Sequence, residues 1–171
     1  RELNTGNRTA SKTDGETVLS VKSLSRQGEF KDISLDVRRG EVLGIYGLIG
    51  SGRSEFLNCV FGITKQETGT ATLLDKPIVK GNPGKAIRQG LSLITEDRKA
   101  TGLVLSSSVA FNTTLAALPY LSFATYINGK KDRSLMQTMI DRMRVKLASP
   151  EMDVSGLSGG NQQKVVLAKC M

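Results

Sequence analysis

The stretch that most constrains this chain is GLIGSGRS, residues 47 to 54, set directly after the apolar run Val42 to Tyr46. A strand that empties into closely spaced glycines and then a helix-forming segment makes a turn whose backbone N–H groups converge on one point. Gly47, Gly50 and Gly52 let a ligand approach the backbone closely, and a helix starting near Gly52 adds the positive end of its dipole. Gly47, Leu48, Ile49, Gly50, Ser51, Gly52, Arg53 and Ser54 match G-x-x-x-x-G-K-[ST] with one departure, Arg53 where lysine normally stands. That spacing suits a phosphate cradle, with the Ser54 hydroxyl placed to reach Mg²⁺. Arg53 keeps the positive charge but replaces a compact ammonium with a wide planar fork, so binding survives the change better than placement of a transferred phosphoryl group. A plain tight turn would also use glycines, but position, spacing and Ser54 agree on the cradle. A dinucleotide fingerprint would need glycine where Glu55 stands, and Glu55 cannot pack as closely.

A second glycine cluster, LSGGNQQK, spans residues 157 to 164. Ser158, Gly159 and Gly160 open a predicted helix through NQQKVVLAKC, and their N–H groups form another anion-facing surface because no helical bond consumes them. Ser158 is also a residue type able to cap that helix. Two such sites in one short chain call for a joint account: a pair that cannot share a phosphate within one molecule can share it between two.

Around these motifs the pattern is α/β. TVLSVKSLS reads as a strand; in ISLDV, Ile33, Leu35 and Val37 share one face; Arg39-Gly40 turns; and Val42 to Tyr46, with little alternation, is expected as a central strand covered on both sides. Ser54 to Phe61 is expected as a helix with Phe56, Leu57, Val60 and Phe61 on its apolar positions. TGTATLLDKPI gives a further strand and turn. Asn82 caps, Pro83 begins and Gly90 ends a short helix, after which LSLIT is expected to return as a strand. Leu135, Met139 and Met143, with Met136 and Ile140, make a helical stripe that suits core packing better than a methionine-rich ligand groove. Residues 1 to 16 are polar and read as a linker or arm.

Composition narrows the class. The 171 residues carry 24 Lys+Arg against 16 Asp+Glu, a net charge of +8. This favours anionic partners, but the charged runs EDRK and KKDR mix signs, and no run of bases lies beside an aromatic series, so a nucleic-acid platform is weakly supported. With no histidine and only Cys59 and Cys170, a zinc site or disulfide framework lacks its ingredients. No apolar stretch reaches the roughly 20 residues of a spanning helix. Asn7-Arg8-Thr9 and Asn112-Thr113-Thr114 match the glycosylation sequon by composition alone.

Taken together, GLIGSGRS and LSGGNQQK resemble the nucleotide-binding domain of ABC transporters, whose signature loop reads LSGGQ and here has Asn161 for the glutamine. RRGEVLGIYGLIGSGRSE, GLSLITEDRKATGLV and LSGGNQQKVVLAK are similar to the second of two fused ATPase domains in monosaccharide importers of the ribose, galactose, xylose and arabinose type. The likeness covers about residues 17 to 171, and residues 1 to 16 match the inter-domain linker.

The resemblance implies an α/β P-loop NTPase of ABC ATPase type: a core ATP-binding subdomain with an antiparallel β part at 17 to 102, a helical subdomain at 103 to 156, and the signature loop with its helix at 157 to 171. It implies ATP and Mg²⁺ as ligands, with Gly47 to Ser54 on the phosphates, Ser54 and Glu96 at the metal, and Ser158, Gly159, Gly160 and Asn161 completing the pocket of a head-to-tail partner domain. Glu96 stands where most ABC domains have glutamine, and a carboxylate there would repel the γ-phosphate. The adenine-stacking aromatic should lie near Arg26 or Gln27, and Phe30 substitutes for it only if the intervening turn bends back. The family's later strand ending in aspartate, its catalytic glutamate and its switch histidine have no counterpart within residues 1 to 171, so the expectation is an incomplete core with no catalytic residue, a weak nucleotide site and no turnover by this piece alone. Partners implied are the other ATPase domain, membrane permease subunits and an extracytoplasmic sugar-binding protein, with the chain peripheral on the cytoplasmic face of a bacterial membrane. Rival readings are a soluble P-loop kinase or phosphatase and a basic nucleic-acid-associated ABC ATPase.

Overall fold

A computed structural model of the chain describes residues 15–123 and 126–171. The linker expected at residues 1 to 16 falls almost wholly outside these. The described chain divides into two units, residues 15–91 and 92–171.

The first unit is an antiparallel sheet with two helices. β1 (Thr17–Arg26) pairs with both β2 (Phe30–Arg38) and β3 (Thr68–Leu73), and β4 (Lys76–Pro77) closes the order β2-β1-β3-β4. Alternation writes this sheet: Val21 opposes Leu35 on one neighbour and Ala71 on the other. Val21, Leu24 and Ala71 bury beside Phe56, Cys59 and Val60 of α1 (Arg53–Phe61), with Ile33 and Leu35 packed at the edge. Fully burying each such large aliphatic side chain contributes about 1.5–3 kcal/mol. Gly62, left-handed at φ 87°, stops α1, and α2 (Pro83–Arg88) begins as the sequence predicts: the Asn82 side chain accepts from the Lys85 N–H at 2.9 Å and Pro83 fills the first turn.

The expected strands at Val42 to Tyr46 and Leu91 to Thr95 do not form. Neither run joins a ladder among the described residues, and Val42 and Tyr46 are 94% and 96% exposed. An apolar run becomes a central strand only when strands lie on both sides of it, and no described strand supplies those neighbours.

The second unit is helical. A π-helical turn (Arg98–Gly102) leads to α3 (Val109–Thr114), and a 3₁₀ turn joins this to α4 (Leu118–Leu121). The hairpin β5 (Ser122–Phe123) and β6 (Tyr126–Ile127) follows, then α5 (Gly129–Met143) and α6 (Gly159–Lys169). Val109, Ile140, Val154, Val165 and Val166 form its core, with Met136 and Met143 packed against it. Of the expected stripe, Ile140, Met136 and Met143 are packing, whereas Leu135 and Met139 are half-buried outside this core. Asn112 is fully buried: its Oδ1 accepts from Val104 N–H at 2.8 Å, and its Nδ2 donates to the carbonyls of Val104 at 2.9 Å and Ser108 at 3.0 Å. The sequon it heads has no room for a glycan.

Candidate functional site

In the first unit, the loop of residues 47 to 54 ends on Gly52, the N-cap of α1, left-handed at φ 82° and making no side-chain cap. A Cβ at Gly52 would overlap the carbonyl oxygen of Glu29, so only glycine lets this turn close. Gly50 is also left-handed, at φ 78°, and Ser51 N–H bonds back to the Leu48 carbonyl at 3.1 Å. The first N–H of the helix to bond back is that of Phe56, to Gly52 O at 2.8 Å. The N–H groups of the first turn are thus left for a ligand or water. Arg53 folds over its own loop, its Nη2 donating to Leu48 O at 3.4 Å, and with Gly47 and Ser51 it lines a hollow of about 210 Å³. Ser54 is exposed in the first turn, with no side-chain partner among the described residues.

In the second unit, Ser158 occupies the N-cap of α6, but its hydroxyl does not cap the backbone. It accepts instead from Asn161 Nδ2 at 3.2 Å, while Asn161 Oδ1 accepts from Lys146 N–H at 3.0 Å. The capping role expected of the Ser158 side chain is therefore corrected: its oxygen is taken by Asn161. The first N–H of α6 to bond back is that of Gln162, to Ser158 O at 2.9 Å, leaving those at Gly159, Gly160 and Asn161 open. By contrast, Asn82, Ser108 and Asn128 each cap α2, α3 and α5 through their side chains. The two glycine motifs are thus the starts of α1 and α6, both without such a cap.

Two residues that the sequence did not single out hold this second motif. Arg98 Nε donates to Gln162 Oε1 at 3.2 Å, and its Nη2 lies beside Gly159, where an added Cβ would come within 3.0 Å of it. Gln162, 5% exposed, donates through Nε2 to the carbonyls of Val154 and Leu157, each at 3.2 Å. Its place three and four residues before the buried Val165 and Val166 was the available sign of a polar side chain turned inward. Glu96 is exposed in the bend before this turn. Asp97 caps the turn, accepting from the N–H groups of Lys99 at 2.9 Å and Ala100 at 3.0 Å. These bonds, led by that of Ala100, hold its carboxyl below the usual carboxylate range.

Phe30, the conditional substitute for an adenine-stacking ring near Arg26 and Gln27, does not serve as one. Arg26 pairs with Glu29 at 2.8 Å, and the hollow of about 590 Å³ over Arg26 to Lys31 is bordered by Glu67 and Thr68. Phe30 is buried, its ring edge-on to Phe56 at a centroid distance of 5.7 Å, so it is a core residue and not a substitute stacking platform.

The sequence model of the ABC transporter family matches residues 30–171. The chain belongs to the ABC transporter family. It is 41% identical over 157 residues to the ribose import ATP-binding protein RbsA of Halalkalibacterium halodurans, covering 92% of this chain and 32% of that protein. It is 42% identical over 160 residues to a putative ribose/galactose/methyl galactoside import ATP-binding protein of Rhizobium meliloti, covering 94% and 32%. The chain spans about a third of the length of these curated relatives. Among solved structures it resembles cbiO1 of Clostridium perfringens, part of the transporter complex cbiONQ, with a TM-score of 0.70 at 20% identity, covering 90% of this chain and 61% of that one. The ATP-binding cassette MJ0796, solved as a dimer bound to ADP and Pi, gives 0.71 at 20% identity, covering 90% and 68%. These likenesses establish an ABC ATPase fold. Among the described residues no helix is long and apolar enough to cross a membrane.

Proposed function

We propose that this chain is the nucleotide-binding part of a monosaccharide import ATPase. The observation that carries the reading is that the glycine motifs at Gly47 to Ser54 and Ser158 to Asn161 begin α1 and α6 with their first-turn N–H groups uncapped. The family membership and the sugar-import names of the relatives supply the context. The open N–H groups of Gly52, Arg53 and Ser54 hold the β- and γ-phosphates of ATP, and the Arg53 guanidinium turns from Leu48 O to the same oxygens. Ser54, whose exposed hydroxyl has no other partner among the described residues, and Glu96, whose carboxylate is exposed, would each offer an oxygen to Mg²⁺, which would neutralise phosphate charge. A carboxylate at Glu96, where the family resemblance expects glutamine, would oppose the charge of the γ-phosphate and weaken nucleotide binding.

Ser158, Gly159, Gly160 and Asn161 serve the pocket of a second ATP-binding domain arranged head to tail. In this scheme closure of the pair works permease subunits fed by an extracytoplasmic sugar-binding protein, with the chain peripheral on the cytoplasmic face of the membrane and no nucleic acid involved. Residues 1 to 16 form the linker, 17 to 102 the core, 103 to 156 the helical part that meets the permease, and 157 to 171 the signature. The test is ATP-dependent uptake of labelled monosaccharide by cells carrying single substitutions in this chain. Ser158→Arg puts a long side chain where the partner's γ-phosphate meets α6 and abolishes uptake; Arg53→Ala, in the weakened site, lowers it less. A silent Ser158→Arg with a severe Arg53→Ala would reverse the two roles, and undiminished uptake in both would reject the reading.

A further inference from the structure

The corner where α4 passes through the β5–β6 hairpin into α5 concentrates rings in water. Tyr120, Phe123 and Tyr126 are 68%, 88% and 81% exposed and Ile127 is 53% exposed, all within eight residues. Single exposed apolar side chains are ordinary, but a contiguous group of this size marks a contact surface. The hairpin pairs Phe123 with Tyr126, which sets both rings on one face, and Asn128 N–H donates to the Leu121 carbonyl at 2.9 Å, drawing the start of α5 to the end of α4.

The next charges are Lys130, Lys131 and Arg133, all exposed and without ion-pair partners among the described residues. Cations in the first turns of a helix oppose its dipole, so they do not serve α5, which is capped by Asn128 and has Asp132 as its first-turn acid. Exposed rings beside unneutralised cations fit a surface that offers apolar depth beneath a layer of phosphates. The permease proposed to meet residues 103 to 156 itself lies in a bilayer; at this corner a protein partner would have to bring an apolar pocket rimmed by acids, whereas an anionic bilayer has both chemistries everywhere on its surface. We propose that this corner is a docking surface for an anionic phospholipid bilayer, with Phe123 and Tyr126 entering the interface and Lys130, Lys131 and Arg133 lying at the phosphate layer.

The chain has no tryptophan, so F123W gives a single reporter. Mixed with vesicles of phosphatidylglycerol and phosphatidylcholine, this variant shows a blue-shifted emission that bromine-labelled lipid quenches, and neither effect occurs with phosphatidylcholine alone. K130E/K131E lowers cosedimentation with the anionic vesicles roughly tenfold or more, and F123S/Y126S lowers it with the charge unchanged. K76E/K80E makes the same charge change in the first unit and leaves binding near the wild-type level, which separates the corner from the general attraction of a chain of net charge +8. Circular dichroism checks that each variant is folded. An unshifted emission, equal losses in the two charge-reversed pairs, or retention only on membranes that carry native membrane proteins would overturn the proposal, the last in favour of a protein partner.

Discussion

Arg98 and Gln162, 64 residues apart in sequence, meet through an Nε-to-Oε1 hydrogen bond of 3.2 Å. The bond ties the turn after Glu96 to the start of α6, while the other end of the Gln162 amide holds the carbonyls of Val154 and Leu157. Gln162→Leu keeps the bulk and strands these buried acceptors, each at a cost of about 1–3 kcal/mol. Urea unfolding of the variant should show a lower midpoint with an unchanged slope; an unchanged midpoint would mean that water replaces the amide without loss.

Gly52 and Gly50 separate strain from collision. Both are left-handed, at φ 82° and 78°, but a Cβ at Gly50 meets nothing within 4 Å, whereas one at Gly52 overlaps the Glu29 carbonyl. Gly50→Ala is expected to cost about 1–2 kcal/mol, the penalty of the left-handed backbone, and Gly52→Ala distinctly more. Equal thermal shifts for the two variants would remove the close approach of this loop to the β1–β2 turn from the account.

Asp97 gives the fold an acid-sensitive point. Its carboxyl is held low by the N–H groups of Ala100 and then Lys99. A depressed carboxylate stabilises the folded state above its unfolded pKa, and that contribution is lost as pH falls through the lower folded value. An NMR titration of the Asp97 carboxyl should therefore have its midpoint below the ordinary carboxylate range, and Asp97→Ala should remove the corresponding part of the acid-unfolding limb. A midpoint at or above the ordinary range would contradict the cap.

What was legible in the sequence was local. Asn82 with Pro83 and the glycines before Ser54 write their turns and helix starts within a few residues. The alternation of Ile33, Leu35 and Val37 placed β2 correctly. Val42 to Tyr46 was misread as a formed strand because a ladder depends on neighbours that no local pattern supplies. Phe30 could be read as a stacking ring because its partner, Phe56, lies 26 residues on. Within the candidate site, the glycine positions were legible, but the Asn161–Lys146 and Arg98–Gln162 bonds were not, since they join side chains to atoms 15 and 64 residues away.

The central claim is that the loop of residues 47 to 54 holds nucleotide phosphates. Calorimetric titration of the 171-residue chain with Mg·ATP, wild type against Arg53→Ala, tests it directly. Loss of one charge-assisted phosphate contact costs about 1.5–3 kcal/mol, a weakening of roughly 10- to 150-fold. The account predicts saturable binding to the wild type that is weakened by that factor in the variant; no binding to the wild type, or equal affinity in both, would contradict it.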